Sequence, residues 1–456
     1  MWGFLLLLIP TWLNAFGVNS GGKTSVSKTD NDAFSLPAAN LSFEARLDFN
    51  VGNSFFRNPW VMAPATTTAR DGLGPLFNTN GCQNCHIRDG RGHLPLDAED
   101  NAVSLLIRIS MKPASESDWT QVRTQGVIPH PVYGDQIQDF SIPGVEPEAK
   151  VVLDYESYDV QLAGGELISL RKPMLTLTQP GYGPLGDNVS FSMRVAPPMI
   201  GLGLLEALSE DQIRQGADPE DRDNDGMSGR WNPVWDSERQ QMVLGRFGWK
   251  AEQPTLKQQN AAAFNGDIGI TSSLFPEDHC TDVQAVCKRA AKGGDPEVSD
   301  KILNLVTFYT GNLGVPKRRN ADHPRVKLGE EVFVEAGCDS CHKVKFLTPK
   351  IEGRPQHSGQ IIHPYTDLLL HDMGPELADD RAVFSASGAE WRTPPLWGIG
   401  LTKVVSGHEN YLHDGRARSL LEAILWHGGE GKPSRDYVVQ TSQLKRDALV
   451  AFLESL

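Results

Sequence analysis

The motif Cys-x-x-Cys-His occurs twice in this chain, as Cys82-Gln-Asn-Cys85-His86 and as Cys338-Asp-Ser-Cys341-His342. Two thiols three positions apart can both reach the vinyl groups of one porphyrin. The adjacent histidine then lies under the iron as its proximal ligand. The pattern therefore predicts two covalently attached c-type haems, and a fold built around both. A zinc ribbon would place its CxxC pairs about 15–20 residues apart. Here Cys85 and Cys338 are more than 250 residues apart, and a histidine follows each pair. A thioredoxin-like redox pair needs neither that histidine nor a second copy.

With 456 residues the chain exceeds what one core organises, so two or three domains are expected. A hydrophobic fraction of 39% against 22% charged residues reads as globular. The formal net charge of -14 argues against nucleic acid, which a protein binds by neutralising phosphates. It is compatible with steering a basic redox partner, or simply with solubility. The apolar run from Met1 to Leu13, ending at Asn14-Ala15, reads as an export signal. It falls short of the roughly 20 residues a spanning helix needs. The other two cysteines, Cys280 and Cys287, are close enough for a disulfide in an oxidising compartment; two free buried thiols are the alternative.

The motifs belong to a wider duplication. Pro197-Pro-Met-Ile-Gly-Leu-Gly-Leu204 and Pro394-Pro-Leu-Trp-Gly-Ile-Gly-Leu401 share the pattern PPxxGxGL, each downstream of its own CxxCH. Each half ends in an amphipathic segment, at 299–309 and 444–456, and Lys327–Ala336 carries apolar residues at helical spacing before the second motif. The first half is longer. Val151–Leu162, Ala163-Gly-Gly-Glu166 and Leu167–Leu170 read as a β-hairpin inside it. The Pro- and charge-rich stretch Val315–Pro324 reads as a linker between the halves.

A third chemistry is suggested by Asp221-Arg-Asp223-Asn-Asp225-Gly226. Alternating carboxylates can converge on one calcium ion, and Gly226 permits the sharp turn. The twelfth position of such a loop is Asn232, where an EF-hand has Glu, so this is not a full EF-hand. An acidic solvated turn is the other reading.

Several blocks carry a family resemblance. Arg392-Thr-Pro-Pro-Leu-Trp397, Leu412-His-Asp-Gly-Arg-Ala417 and Leu420-Leu-Glu-Ala-Ile424 resemble the C-terminal half of bacterial di-haem cytochrome c peroxidases and of the methylamine-utilisation di-haem enzyme. The di-haem oxidoreductase (peroxidase) family, sometimes labelled thiol oxidoreductase, is the nearest match. Its blocks appear as Asp71–Phe77, Arg194–Ala207, Leu244–Lys250, Tyr365–Gly374 and Ala423–Glu430. The label has no support in the residues, since four cysteines are committed to haem and two to the expected disulfide.

The resemblance implies that a residue soon after the Leu-x-Glu-Ala block is the distal ligand of the C-terminal haem. Here that residue is His427, with His371 and His413 as rivals. It also implies that peroxide reacts at the N-terminal haem. For its distal side His93, His130, Met199, Gln136 and Gln138 are candidates, with no clean equivalent of the peroxidases' distal histidine. A calcium ion between the haems of those relatives adds to the case for Asp221, Asp223 and Asp225. The expected architecture is mainly α: a signal at 1–15, then two cytochrome c-like haem domains at 16–320 and 321–456, the first with large β-containing insertions. The expected activity is a periplasmic di-haem oxidoreductase of peroxidase type. Electrons from a small redox protein or cytochrome would enter at the C-terminal haem and reduce an oxidant such as hydrogen peroxide at the other. A non-enzymatic electron-transfer cytochrome serving a partner protein, and a protein-modifying oxidase, are the alternatives.

Overall fold

A computed structural model describes residues 16–96, 100 and 103–456. The expected export signal at 1–15 lies outside the described residues. Two helix crossings organise the rest. The helix Ala45–Arg57 packs on Asp300–Gly311, and Pro324–Glu335 packs on Gln443–Ser455. Local chemistry sets where these helices start. The side chains of Ser299 and Ser442 accept hydrogen bonds from the backbone N–H groups of Ile302 and Lys445. Pro324 occupies the first turn of its helix, where its missing N–H costs nothing.

The crossings are built alike. Gly52 meets the Leu305 carbonyl and Tyr309, while Gly329 meets the Ala448 carbonyl and Phe452. A methyl group at either glycine would collide with the facing backbone oxygen. Four residues after each glycine stands a phenylalanine packed on the CxxCH histidine. Phe56 lies 6.1 Å from His86, and Phe333 lies 6.4 Å from His342, between ring centroids. The PPxxGxGL echo closes each unit in the same manner. The N–H of Gly201 donates to the Leu313 carbonyl, and that of Gly398 to Leu456. Gly203 and Gly400 then press on the last turns of the closing helices, at the carbonyls of Gly311 and Glu454. The two echoes also meet: Gly201 lies against Trp397, and Gly398 against Ile200.

The expectation of a mainly α chain is wrong. Helix accounts for 29% and strand for 18%, spread over several small sheets. Among the described residues each of those sheets has two strands. Two causes are visible. With 44 glycines and 30 prolines, long stretches run as turns and loops, and helices such as Cys82–Cys85 last a single turn. The insertion after the first CxxCH is also largely strand. Leu105–Met111 pairs antiparallel with Val189–Val195, and Lys150–Gln161 with Leu167–Thr178.

That second pair is the predicted hairpin, and it bridges two cores. At its base Val151 and Leu177 pack with Ile107, Ile109 and Trp249. Its tip delivers Leu162 and Leu170 to the core of Phe333, Trp426 and Phe452. There the Ala163 N–H donates to Val439 O at 2.8 Å, and Arg446 donates back to Ala163 O at 3.1 Å. The stretch expected to be a linker is pinned rather than loose. Lys317 N donates to Val26 O, and the buried Arg318 pairs with Glu330 at 2.6 Å. Cys280 and Cys287 form a disulfide, with Cα atoms 5.7 Å apart.

Candidate functional site

One continuous cavity is lined by both CxxCH motifs: Cys82, Cys85 and His86 at one end, and Cys338, Cys341 and His342 at the other. The two histidines are held alike. His86 Nδ1 lies 2.8 Å from the carbonyl of Pro197, and His342 Nδ1 lies 2.9 Å from that of Tyr365. A carbonyl only accepts, so each Nδ1 carries the proton and each Nε2 keeps its lone pair. Burial pushes the pKa of both rings down to about 4, so both stay neutral, as a metal ligand must. Burial likewise raises Cys82 and Cys338 to about 12, keeping these thiols uncharged.

His427 repeats the arrangement. It sits just past the helix Leu420–Leu425, which Ser419 caps, and lines the same cavity. Its Nδ1 lies 2.8 Å from the Ala423 carbonyl, one turn back, which again leaves Nε2 free. Its rivals His371 and His413 line the same cavity but have other partners. His371 spends both nitrogens on carboxylates, Asp367 at 2.8 Å and Glu430 at 2.6 Å. Burial opposes its charge, but the bonds to Asp367, Cys341 and Glu430 outweigh burial and hold it protonated. His413 stacks on Trp391 with ring centroids 3.6 Å apart, and burial lowers its pKa to about 3.

The family model described as "Di-haem oxidoreductase, putative peroxidase" matches residues 16–456. The chain belongs to this di-haem oxidoreductase family. Comparison with curated proteins returns no match. Membership implies two haems, and the cavity of this di-haem oxidoreductase suits them. Two neutral imidazoles with free Nε2 atoms stand beside paired uncharged thiols. Arg194 Nη2 and Trp397 Nε1 line the cavity, are buried, and have no partner in the protein. Haem propionates are acceptors of the kind these donors lack.

Of the five residues considered for the distal side of the N-terminal haem, only Met199 lines the cavity. His93 pairs with His408, ring centroids 5.4 Å apart. His130 Nδ1 accepts from the Val132 and Tyr133 N–H groups, and its Nε2 donates to Leu185 O at 2.9 Å. Gln136 and Gln138 donate to the Gly266 carbonyl at 3.0 Å and 2.8 Å behind the wall. Charged residues that line the cavity include Arg108, Arg194, Glu252 and Asp267, with Thr79, Gln259 and Asn260 among the uncharged ones. Asp267, 3.9 Å from Arg108, bears on Cys82 and Cys85. Sequence reasoning missed these roles. Arg194 falls inside a family block, but Arg108 and Asp267 belong to no motif.

The acidic loop brings its three carboxylates together. Carboxylate oxygens of Asp221, Asp223 and Asp225 lie within 4.8 Å of one another, and Gly226 has a φ of 83°. Asn232, at the twelfth position, is buried, and its amide donates to Lys250 O at 2.8 Å. The loop runs directly into Met227, whose Sδ lies 3.9 Å from Cys341 Sγ.

Proposed function

We propose that this di-haem oxidoreductase is an exported c-type cytochrome that reduces hydrogen peroxide with electrons from a small redox protein. The supporting observation is the inequality of the two ends of the cavity. Both CxxCH histidines are locked alike, and a further imidazole held in the same tautomer, His427, stands near His342 at the C-terminal end. His342 and His427 together suit an iron that only passes electrons. The N-terminal end offers Arg108, Arg194, Glu252 and Asp267 instead, a polar wall where an oxidant can be bound and protonated.

In this reading the chain forms two haem-bearing halves that meet near residue 320. Thioethers at Cys82, Cys85, Cys338 and Cys341 fix the haems. Electrons enter at the His342 side and cross to the His86 side past Trp391, His413 and Trp249. The net charge of -14 favours a basic donor. The Asp221–Asp223–Asp225 loop takes calcium and steadies the segment that reaches Cys341.

The test is steady-state peroxide turnover with a reduced small cytochrome, together with EPR of the oxidised protein. Turnover with one low-spin and one high-spin ferric haem is expected. Absence of turnover, with both haems six-coordinate and low-spin in every redox state, would defeat the assignment.

A further inference from the structure

A cluster of acids lies behind the N-terminal wall of the cavity. Asp267 lines the cavity with Arg108. Its Oδ1 accepts from Gln136 Nε2 at 3.1 Å, and the same Nε2 donates to Asn78 Oδ1 at 2.5 Å. Asn78 Nδ2 then donates to Asp139 Oδ1 at 2.7 Å. Glu148 adjoins this chain. Its two oxygens accept from Gln138 N at 2.7 Å and Gln284 Nε2 at 2.6 Å. Asp135 completes the group, 3.6 Å from Arg108 and 3.7 Å from His279.

Gln136, Gln138 and Glu148 are each 1% exposed, whereas Asp139 is half-buried. The cluster therefore runs from partial solvent contact at Asp139 to the cavity at Asp267.

The charges do not balance. Asp135, Asp139, Glu148 and Asp267 face Arg108, His279 and Arg381, with Tyr133 and Tyr182 as further titratable neighbours of Glu148. Burial raises Asp139 to about 7 and Glu148 to about 8. Gln136 Oε1 and Gln138 Oε1 are buried acceptors without a protein partner, the kind of atom that binds internal water. Burying unneutralised acids costs stability, and packing alone does not require it.

We propose that the acids Asp139, Glu148 and Asp267, held together by the amides of Asn78 and Gln136, store a proton and deliver it to the N-terminal end of the cavity. The inference rests on the peroxide-reducing reading given above. Breaking the O–O bond of hydrogen peroxide to give two waters takes two electrons and two protons. The reduced redox protein supplies the electrons. The protons come from solvent, enter at Asp139, and reach the bound oxidant through Asp267 and water held at the two glutamine oxygens.

The experiment uses the full haem-loaded protein. Redox-difference infrared spectroscopy should show a protonated-carboxyl C=O band that changes on reduction. Asp139→Asn and Glu148→Gln should each remove part of it. Proton uptake on reduction, followed with a pH dye, should fall in both variants. With peroxide, Asp139→Asn should lower kcat at least tenfold with little change in KM, and should raise the solvent isotope effect. Wild-type turnover with band, proton uptake and isotope effect unchanged in both variants would overturn the relay. Absence of turnover in the wild type would overturn the peroxide reading alone, because the carboxyl band and the proton uptake still decide the cluster's role. If Glu148→Gln fails to fold, the half-buried Asp139→Asn and the wild-type spectrum decide it.

Discussion

The Nδ1 of His427 lies 2.8 Å from the carbonyl of Ala423, its own helix's preceding turn, so the ring lines the cavity with Nε2 as its free nitrogen. That placement depends on the helix Leu420–Leu425 ending where it does, at Trp426 before Gly428-Gly429. Replacing His427 with glycine should convert one low-spin ferric haem to high-spin and leave the other unchanged. Added imidazole should restore the low-spin signal. EPR of the oxidised protein reads both effects, and an unaltered spectrum would remove His427 as a ligand.

Gly52 and Gly329 make a different kind of prediction, about the frame that carries the two CxxCH histidines. At each crossing the facing helix offers backbone, which cannot move aside as a side chain can. Gly52→Ala and Gly329→Ala should each lower stability by about 1–3 kcal/mol, the usual cost of overpacking a tight contact. Urea denaturation should show a reduced midpoint for both. Because Phe56 and Phe333 ride on the same helices, the axial histidine signals should broaden in step.

These glycines also show why the sequence was only partly legible. CxxCH could be read because its chemistry is local: thiols and imidazole lie within five residues. His427 is singled out only through its block, since nothing in a lone His-Gly-Gly marks a ligand. The crossing glycines escaped notice because each is defined by a helix more than 100 residues away in sequence. The echo Gly52-x-x-x-Phe56 and Gly329-x-x-x-Phe333 becomes visible only once both crossings are seen. Arg108 and Asp267 come from a strand and a helix about 160 residues apart, and neither neighbourhood carries a motif. The misjudged fold class has a related cause: two-stranded pairings such as Leu105–Met111 with Val189–Val195 join segments separated by the whole hairpin.

The Asp221–Asp223–Asp225 loop should bind one divalent cation. Isothermal titration with calcium, after chelator treatment, should give a single site that Asp223→Asn plus Asp225→Asn abolishes. A ligand at about 100 times its Kd stabilises by about 2.7 kcal/mol, so calcium should raise the unfolding temperature of the wild type and not of the variant. Since Met227 follows the loop and approaches Cys341, calcium should also perturb the spectrum of the C-terminal haem more than the other. Equal heats in both proteins would identify the loop as an ordinary acidic turn.

Glu148 ties stability to pH with a definite sign. Its ordinary pKa is 4.5, and burial raises it to about 8 in the folded protein, against the hydrogen bonds from Gln138 and Gln284. Below pH 4.5 folded and unfolded chains both hold the proton, and the favourable contribution of the neutral carboxyl is complete. Between pH 4.5 and about 8 the folded protein keeps a proton that the unfolded chain releases, so stability falls as pH rises. Above that window both states are ionised and the loss levels off. Glu148→Gln cannot titrate. Whatever constant offset the amide introduces, the variant should gain on the wild type steadily from pH 4.5 to 8. Asp139→Asn should behave likewise over a narrower window, because Asp139 rises only to about 7. Urea midpoints measured at several pH values across this range test the point, and parallel curves for wild type and Glu148→Gln would show that Glu148 folds with its charge intact.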